Sequence, residues 1–199
     1  MNKITLAVIT NRGIMPKTLQ CLLELVARGG YDFHIVIAEF GYTIAENRNY
    51  VGVQALNNNS DYLLFIDDDM TFPPDILDTL LKNDKDICGA AYHPRNKTGE
   101  IIKYINAGSD EITPIRIEQL DDPKYKDTFE VHATGAGIIL IKCEVFKKVP
   151  RPWFMFEYYD TGQCKLGEDW YFCKVAKKAG FEVWTDPKPK VGHLGEIIL

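Results

Sequence analysis

Four short runs of apolar, largely β-branched residues constrain this chain more than any other feature: Lys3–Ile9, Phe33–Ala38, Tyr62–Ile66 and Ile87–Tyr92. None shows the polar alternation of a strand with one wet face, so each must be covered on both sides, as strands of parallel sheets are. The segments between them have helical character. Pro16 suits a first helical turn, and Leu19, Leu22, Leu23 and Val26 follow until Gly29-Gly30 ends the pattern. Ala45–Leu56 predicts a second helix, with Val51, Val53, Ala55 and Leu56 as its apolar positions. Pro73-Pro74 opens a third, running through Leu77, Leu80 and Leu81. Alternating strands and helices predict an α/β fold with a mostly parallel central sheet flanked by helices.

The second half has a different texture. Ile101–Ile117 and Phe129–Ile141 read as strands of a more antiparallel kind, and Gly135-Ala136-Gly137 brings backbone close to a neighbour. A helix from Gly167 to Ala179 is stopped by Gly180, and Phe181–Thr185 is a last strand. The expected organisation is a single domain over 1–199, with one half over 1–95 and a second over 96–199. With 46% hydrophobic residues, 199 residues suffice for one core.

Charge and cysteines narrow the class further. A net charge of −5 argues against a nucleic-acid surface. Lysines do gather in the last third (Lys147, Lys148, Lys174, Lys177, Lys178, Lys188, Lys190), where solvated helix faces are the simpler reading. The five cysteines are odd in number and include no CxxC pair, which reads as reduced, mostly buried thiols in a cytoplasmic protein. The first apolar run is too short for a signal peptide, and no run approaches the roughly 18 apolar residues of a membrane helix.

The third strand runs directly into Asp67-Asp68-Asp69. Ligands of open parallel sheets bind beyond the carboxyl ends of the strands, where Thr10-Asn11-Arg12, Glu39 and these aspartates all fall. Consecutive carboxylates beside a buried strand repel one another and take up protons unless a cation meets them. An oxygen-preferring Mg²⁺ or Mn²⁺, its shell completed by substrate phosphates, resolves that repulsion. The plainer alternative is a solvated acidic turn before Pro73. Because side chains alternate along an extended backbone, Asp67 and Asp69 are expected to point the same way and Asp68 the other. Glu168-Asp169 stands at a helix start, where the dipole alone favours negative charge. Arg48 has helix salt bridging as its simpler reading, and His193 a surface role near the terminus.

These pieces resemble, in order, the motifs of GT-A glycosyltransferases, in particular family 2. The run from Tyr62 through Asp67-Asp68-Asp69 to Asp75 looks like the DxD segment. Ala45-Glu46-Asn47-Arg48-Asn49 looks like the segment whose arginine approaches the nucleotide. His132 to Gly137 is similar to the strand beneath the donor sugar, with Gly135 and Gly137 on it. Gly167-Glu168-Asp169-Trp170 resembles the ED motif, and Val191-Gly192-His193 the C-terminal metal-ligating histidine. The resemblance implies a Rossmann-like GT-A fold, with 1–95 as its nucleotide-binding half and 96–199 as its acceptor-side half, and a metal-dependent transferase. Its donor would be a nucleotide sugar, with a UDP-sugar favoured.

On that reading Asp69, with Asp67 and His193, ligates Mn²⁺ or Mg²⁺. Thr10, Arg12, Glu39, Arg48, Asp67, Asp68, Gly135 and Gly137 hold the donor. Asp169, beside Glu168, is the base for an inverting displacement. The acceptor stays open among a glycan, a protein, a lipid-linked sugar and a modified nucleobase. The aromatic run Trp153–Tyr159 is expected as a loop closing over the substrates. Three other readings compete. Asp67-Asp68-Asp69-Met70-Thr71 also fits the nucleophile pattern of haloacid-dehalogenase-type phosphatases, with Asp67 attacking phosphate. A nucleotidyltransferase places metal-binding aspartate similarly, though only Gly13 follows the first strand. A non-catalytic nucleotide-binding module is the last.

Overall fold

The computed structural model describes residues 1–39, 41, 43–92 and 122–195. The strand expected over Ile101–Ile117 and the boundary between 95 and 96 lie outside these residues. Five strands run one way: β1 (Lys3–Ile9), β2 (Asp32–Ala38), β3 (Tyr62–Asp67), β5 (Ile87–Ala90) and β10 (Val183–Asp186). They share one seven-stranded sheet with β6 (Phe129–Val131) and β7 (Ile138–Lys142), in the order β2-β1-β3-β7-β5-β10-β6. Two short strands, β4 (Met70–Thr71) and β11 (Gly192–His193), pair with each other, as do β8 (Glu157–Tyr158) and β9 (Cys164–Leu166).

Strand residues alternate between two cores. Ala7, Ile9, Leu63 and Phe65 face one side, packed under α2 (Ile44–Asn57), α4 (Cys143–Lys148) and α5 (Glu168–Lys178). Leu6, Val8, Leu64 and Ile66 face the other, under α1 (Pro16–Arg28) and α3 (Ile76–Lys82). Both faces of β1 and β3 are dry, which is why these two carry no polar alternation; β2, expected to be covered on both sides, is an edge strand and leaves Ile35 and Ile37 about half-exposed. The chain passes from β1 to β2 through α1 and from β2 across β1 to β3 through α2, on opposite faces. A crevice therefore opens at the carboxyl ends of these three strands.

Three differences from the sequence reading are informative. The stretch 129–141 is two strands, and β7 inserts antiparallel between β3 and β5, so β5 does not follow β3 directly. In α1 the buried stripe is Thr18, Cys21, Leu22 and Leu25, while Leu19 and Leu23 are exposed. The face that meets the sheet thus uses a threonine and a cysteine in place of the expected leucines. Of the aromatic run, Trp153 and Phe154 are core: Phe154 stacks on Phe172 and meets Phe65 edge-on. Asn49 ties them to α2, accepting the Trp153 and Phe154 N–H groups and donating to the Phe154 carbonyl. Tyr158 and Tyr159 are exposed on the β8–β9 side. A closing loop therefore cannot use Trp153 or Phe154.

Four cysteines are buried and Cys164 is exposed, all five as thiols. Among the described residues no helix is long and apolar enough to cross a membrane. The lysines of the last third largely face carboxylates: Lys147 and Lys148 meet Glu144, Lys174 meets Glu157, Lys177 meets Glu130 and Lys188 meets Asp127.

Candidate active site

The site grows from the point where β1, β2 and β3 end together. Ile9 is level with Ala38 on one side and Asp67 on the other. The Thr10 N–H donates to the Ala38 carbonyl, and the Asp67 N–H donates to that of Gly137. β3 stops at Asp67, and Asp68 and Asp69 form a turn before β4. The alternation expected across the triplet is consequently broken, because it holds only for extended backbone. Asp68 and Asp69 share a partner and Asp67 has its own.

Asp67 belongs to a buried bridge. Arg48 donates from Nη2 to Asp67 Oδ1 at 2.8 Å, from Nε to Glu168 Oε1 at 3.2 Å and from Nη1 to the Ala136 carbonyl at 3.3 Å. Its guanidinium also lies 5.3 Å from the centre of the Phe65 ring. Burial works against the Arg48 charge, but Asp67, Glu168 and Asp169 outweigh it and hold its pKa above the ordinary value. Burial raises Asp67 above the usual carboxylate range, with Arg48 opposing. One arginine thus joins α2, the end of β3, the segment before β7 and the start of α5.

Asp68 anchors the β1–α1 loop. The Thr10 hydroxyl donates to Asp68 Oδ2 at 2.7 Å and accepts from the Arg12 and Gly13 N–H groups, while the Met15 N–H donates to the Asp68 carbonyl. Arg12, whose side chain is half-exposed, donates from Nη2 to Asp69 Oδ2 at 2.8 Å and to Asp68 Oδ1 at 3.2 Å. Asp69 is fully buried, and its Oδ1 stands 3.1 Å from His193 Nε2. That approach is built by the β4–β11 pair, which sets His193 opposite Met70, and by the Leu194 N–H donating to the Asp69 carbonyl. The Tyr92 ring meets His193 edge-on, and its hydroxyl accepts the Gly137 N–H at 2.8 Å. Gly137 is required there, since a Cβ would stand 2.5 Å from that hydroxyl.

Two adjacent ligands of an octahedral ion, each about 2.1 Å from it, lie about 3 Å apart. The Asp69–His193 separation fits such a pair, and carboxylate with imidazole suits a divalent ion such as Mn²⁺. Among the described residues no three His, Cys, Asp or Glu side chains form a complete metal cage. Two protein ligands are the usual complement where substrate phosphates and water supply the rest.

Glu168 is buried against Arg48, while Asp169 is half-buried and accepts the Trp170 N–H at 2.8 Å. Burial first, then the neighbouring Glu168 charge, pushes the Asp169 carboxyl up to about 7. The expected residues therefore fall into two linked groups, Asp67–Arg48–Glu168 with Asp169, and Thr10–Arg12–Asp68–Asp69 with His193. Gly135 is buried in the segment that Arg48 braces. Glu39 is exposed past β2, and among the described residues it bonds to none of the others.

A cleft of about 390 Å³ opens over these groups, lined by Thr10, Arg12, Asp67 and Asp68 together with Ile9, Ile44 and Asn47. Sequence reading missed Asn47 and Tyr92. Asn47 sits inside the run Ala45–Asn49, where a polar residue near a helix start looks like surface. Its burial, with the capping box of Thr43 and Glu46 beside it, was the signal only the fold supplies.

By sequence, no family model matches this chain and no curated protein does. By shape it is similar to A197 from STIV, at TM-score 0.64 and 18% identity, covering 98% of this chain and 87% of that one. It is also similar to GalNAc-T7, crystallised with UDP, GalNAc and Mn²⁺, at TM-score 0.58 and 12% identity. That match covers 98% of this chain but only 44% of GalNAc-T7. At these identities the likeness is one of fold: a GT-A-like, Rossmann-like α/β sheet.

Proposed function

We propose that this chain is a metal-dependent glycosyltransferase, moving a sugar from a nucleotide-sugar donor, a UDP-sugar by preference, to an acceptor hydroxyl. One observation carries the reading. Residues from four distant parts of the sequence, Arg48, Asp67–Asp69, Glu168-Asp169 and His193, meet at the carboxyl end of the sheet in two linked groups. The GT-A-like shape agrees with it, and the bound ligands of GalNAc-T7 are of the chemistry proposed.

Asp69 and His193 would hold a divalent cation, with Asp67 nearby. That ion would supply Lewis-acid neutralisation of the diphosphate leaving group, on the order of several kcal/mol. The chain's own residues do the rest. Arg12, with its half-exposed side chain, would turn from Asp68 and Asp69 to the diphosphate. Arg48 has no such freedom; it positions Asp67 and Glu168 and fixes the Ala136 backbone beneath the donor. Asp169, held near neutrality, takes the proton of the acceptor hydroxyl. The acceptor oxygen bonds to the anomeric carbon as the bond from that carbon to the β-phosphate oxygen breaks, inverting the centre. A retained product configuration, read by NMR, would overturn Asp169 as the base of a single displacement.

The phosphatase reading needs Asp67 as a free nucleophile, and the Arg48 fork already holds it at 2.8 Å. The deciding experiment screens the chain with sugar nucleotides and nucleoside triphosphates, each with and without Mn²⁺, scoring donor hydrolysis and thermal stabilisation. Metal-dependent hydrolysis of a nucleotide sugar to nucleoside diphosphate and free sugar supports a glycosyltransferase. Pyrophosphate release from a triphosphate supports a nucleotidyltransferase instead. Stabilisation by a ligand at a hundredfold excess over its Kd is about 2.7 kcal/mol.

A further inference from the structure

Asn47 stands in the first turn of α2, is 3% exposed and lines the cleft. Its Oδ1 accepts the Gly41 N–H at 2.6 Å. A backbone N–H can only donate, so this bond establishes which end of the amide is oxygen. The amino group Nδ2 has no hydrogen-bond partner among the described residues and is not among their fully buried unpartnered atoms, so solvent reaches it. The contact with Gly41 is close by construction, since a Cβ there would stand 2.7 Å from Asn47 Oδ1. An amide held in one orientation by the Gly41 bond, with its donor open to solvent in a residue that lines the cleft, is placed to exchange water for an acceptor on a ligand.

The cleft says which part of a ligand that is. Its charges come from Arg12, Asp67 and Asp68, on the β1 and β3 side. The wall supplied by Gly41, Thr43, Ile44 and Asn47 bears none. An uncharged wall with one oriented donor and an isoleucine suits a flat heteroaromatic ring better than a phosphate or a hydroxyl-rich sugar.

Resting on the nucleotide-sugar reading above, we infer that Asn47 is the base-reading residue of the donor site. It donates from Nδ2 to the carbonyl oxygen at C4 of uracil or C6 of guanine, the positions that carry an amine in cytosine and adenine, so the site takes the keto base and rejects its amino counterpart. Opposite an exocyclic amine, Nδ2 would meet a second donor, and both would be left unpaired. A site built to hydrogen-bond one group discriminates strongly against its replacement for that reason.

The test is calorimetric titration of the full chain with UDP, CDP, GDP and ADP in Mn²⁺, and with inorganic pyrophosphate as a base-free probe. Wild type is expected to prefer UDP over CDP, or GDP over ADP, by about tenfold or more. Asn47→Asp keeps an oxygen for the Gly41 N–H, at the same size, and turns the donor into an acceptor. It should collapse or reverse that preference, and the pyrophosphate titration of the same variant separates this from the general weakening of anion binding by the added charge. Asn47→Ser, which cannot bury a charge, should also collapse it and serves if the aspartate variant does not fold. A wild-type preference near unity, or one that survives both variants, overturns the inference. Failure of every nucleotide to bind wild type would overturn the nucleotide-sugar reading itself.

Discussion

Arg48→Met is the most revealing perturbation of this structure. The Arg48 side chain is 2% exposed and its two carboxylate partners are 25% (Asp67) and 11% (Glu168) exposed. Methionine fills similar space against Phe65 but leaves both carboxylates, and Asp169 beyond them, without a cation. Removing one partner of a buried ion pair costs about 3–5 kcal/mol. Water reaches Asp67 and screens part of its charge, so the lower end applies, about 3 kcal/mol. In a chain of this size that lowers Tm by about 6–12 °C.

The pH dependence separates lost charge pairing from lost packing. In the variant Asp67 and Asp169, whose folded-state pKa values already lie above the ordinary carboxylate value, are raised further. Its folded state therefore holds protons that the unfolded state has released, and its stability falls as pH rises through that window. The deficit relative to wild type should be full at pH 8 and smaller at pH 5. Urea unfolding at both values measures it. A deficit below about 1 kcal/mol at pH 8, the range of an exposed pair, would refute the bridge as described. So would a deficit equal at both pH values.

Asp169→Asn should lower transfer by about 10²–10⁴-fold and abolish a wild-type rate that rises with pH through about 7, measured as kcat/KM against pH. Because the folded pKa of Asp169 lies above its ordinary 3.8, its ionisation costs stability as pH rises from there toward about 7. The asparagine variant should therefore unfold later than wild type at pH 8 and lose that advantage at low pH. Asp69→Asn and His193→Ala should each remove the Mn²⁺-dependent part of nucleotide stabilisation, seen by thermal shift with and without chelator; an unchanged metal effect would exclude them as ligands. Gly137→Ala forces a methyl against the Tyr92 hydroxyl at 2.5 Å and should cost about 1–3 kcal/mol by urea unfolding.

Much of the architecture was legible because burial on both faces leaves a local mark. The runs that became β1 and β3, and the prolines and glycines that bound α1, are read without any knowledge of neighbours. So is the arrival of the aspartates at the end of β3, where ligands of such sheets bind. The run that became β2 reads as a strand, but its exposed edge face was not legible. The position of β7 was not legible, because its four apolar residues fit any buried slot and only pairing with both β3 and β5 selects one. The buried polar face of α2 was equally hidden. Asn47 and Arg48 look like surface in a helix whose apolar pattern is weak, and their burial depends on carboxylates and a glycine loop supplied from elsewhere.

The aspartate triplet shows where the division falls. Residue type and strand end by themselves determined that carboxylates crowd the site and call for a cation. Tertiary structure decided how they divide it: Asp67 to Arg48, Asp68 to Thr10 and Arg12, Asp69 to Arg12 and His193. A carboxylate's partners are chosen by distances of about 3 Å across the fold, and those distances are set by strand pairing and loop closure, which leave no trace in local sequence.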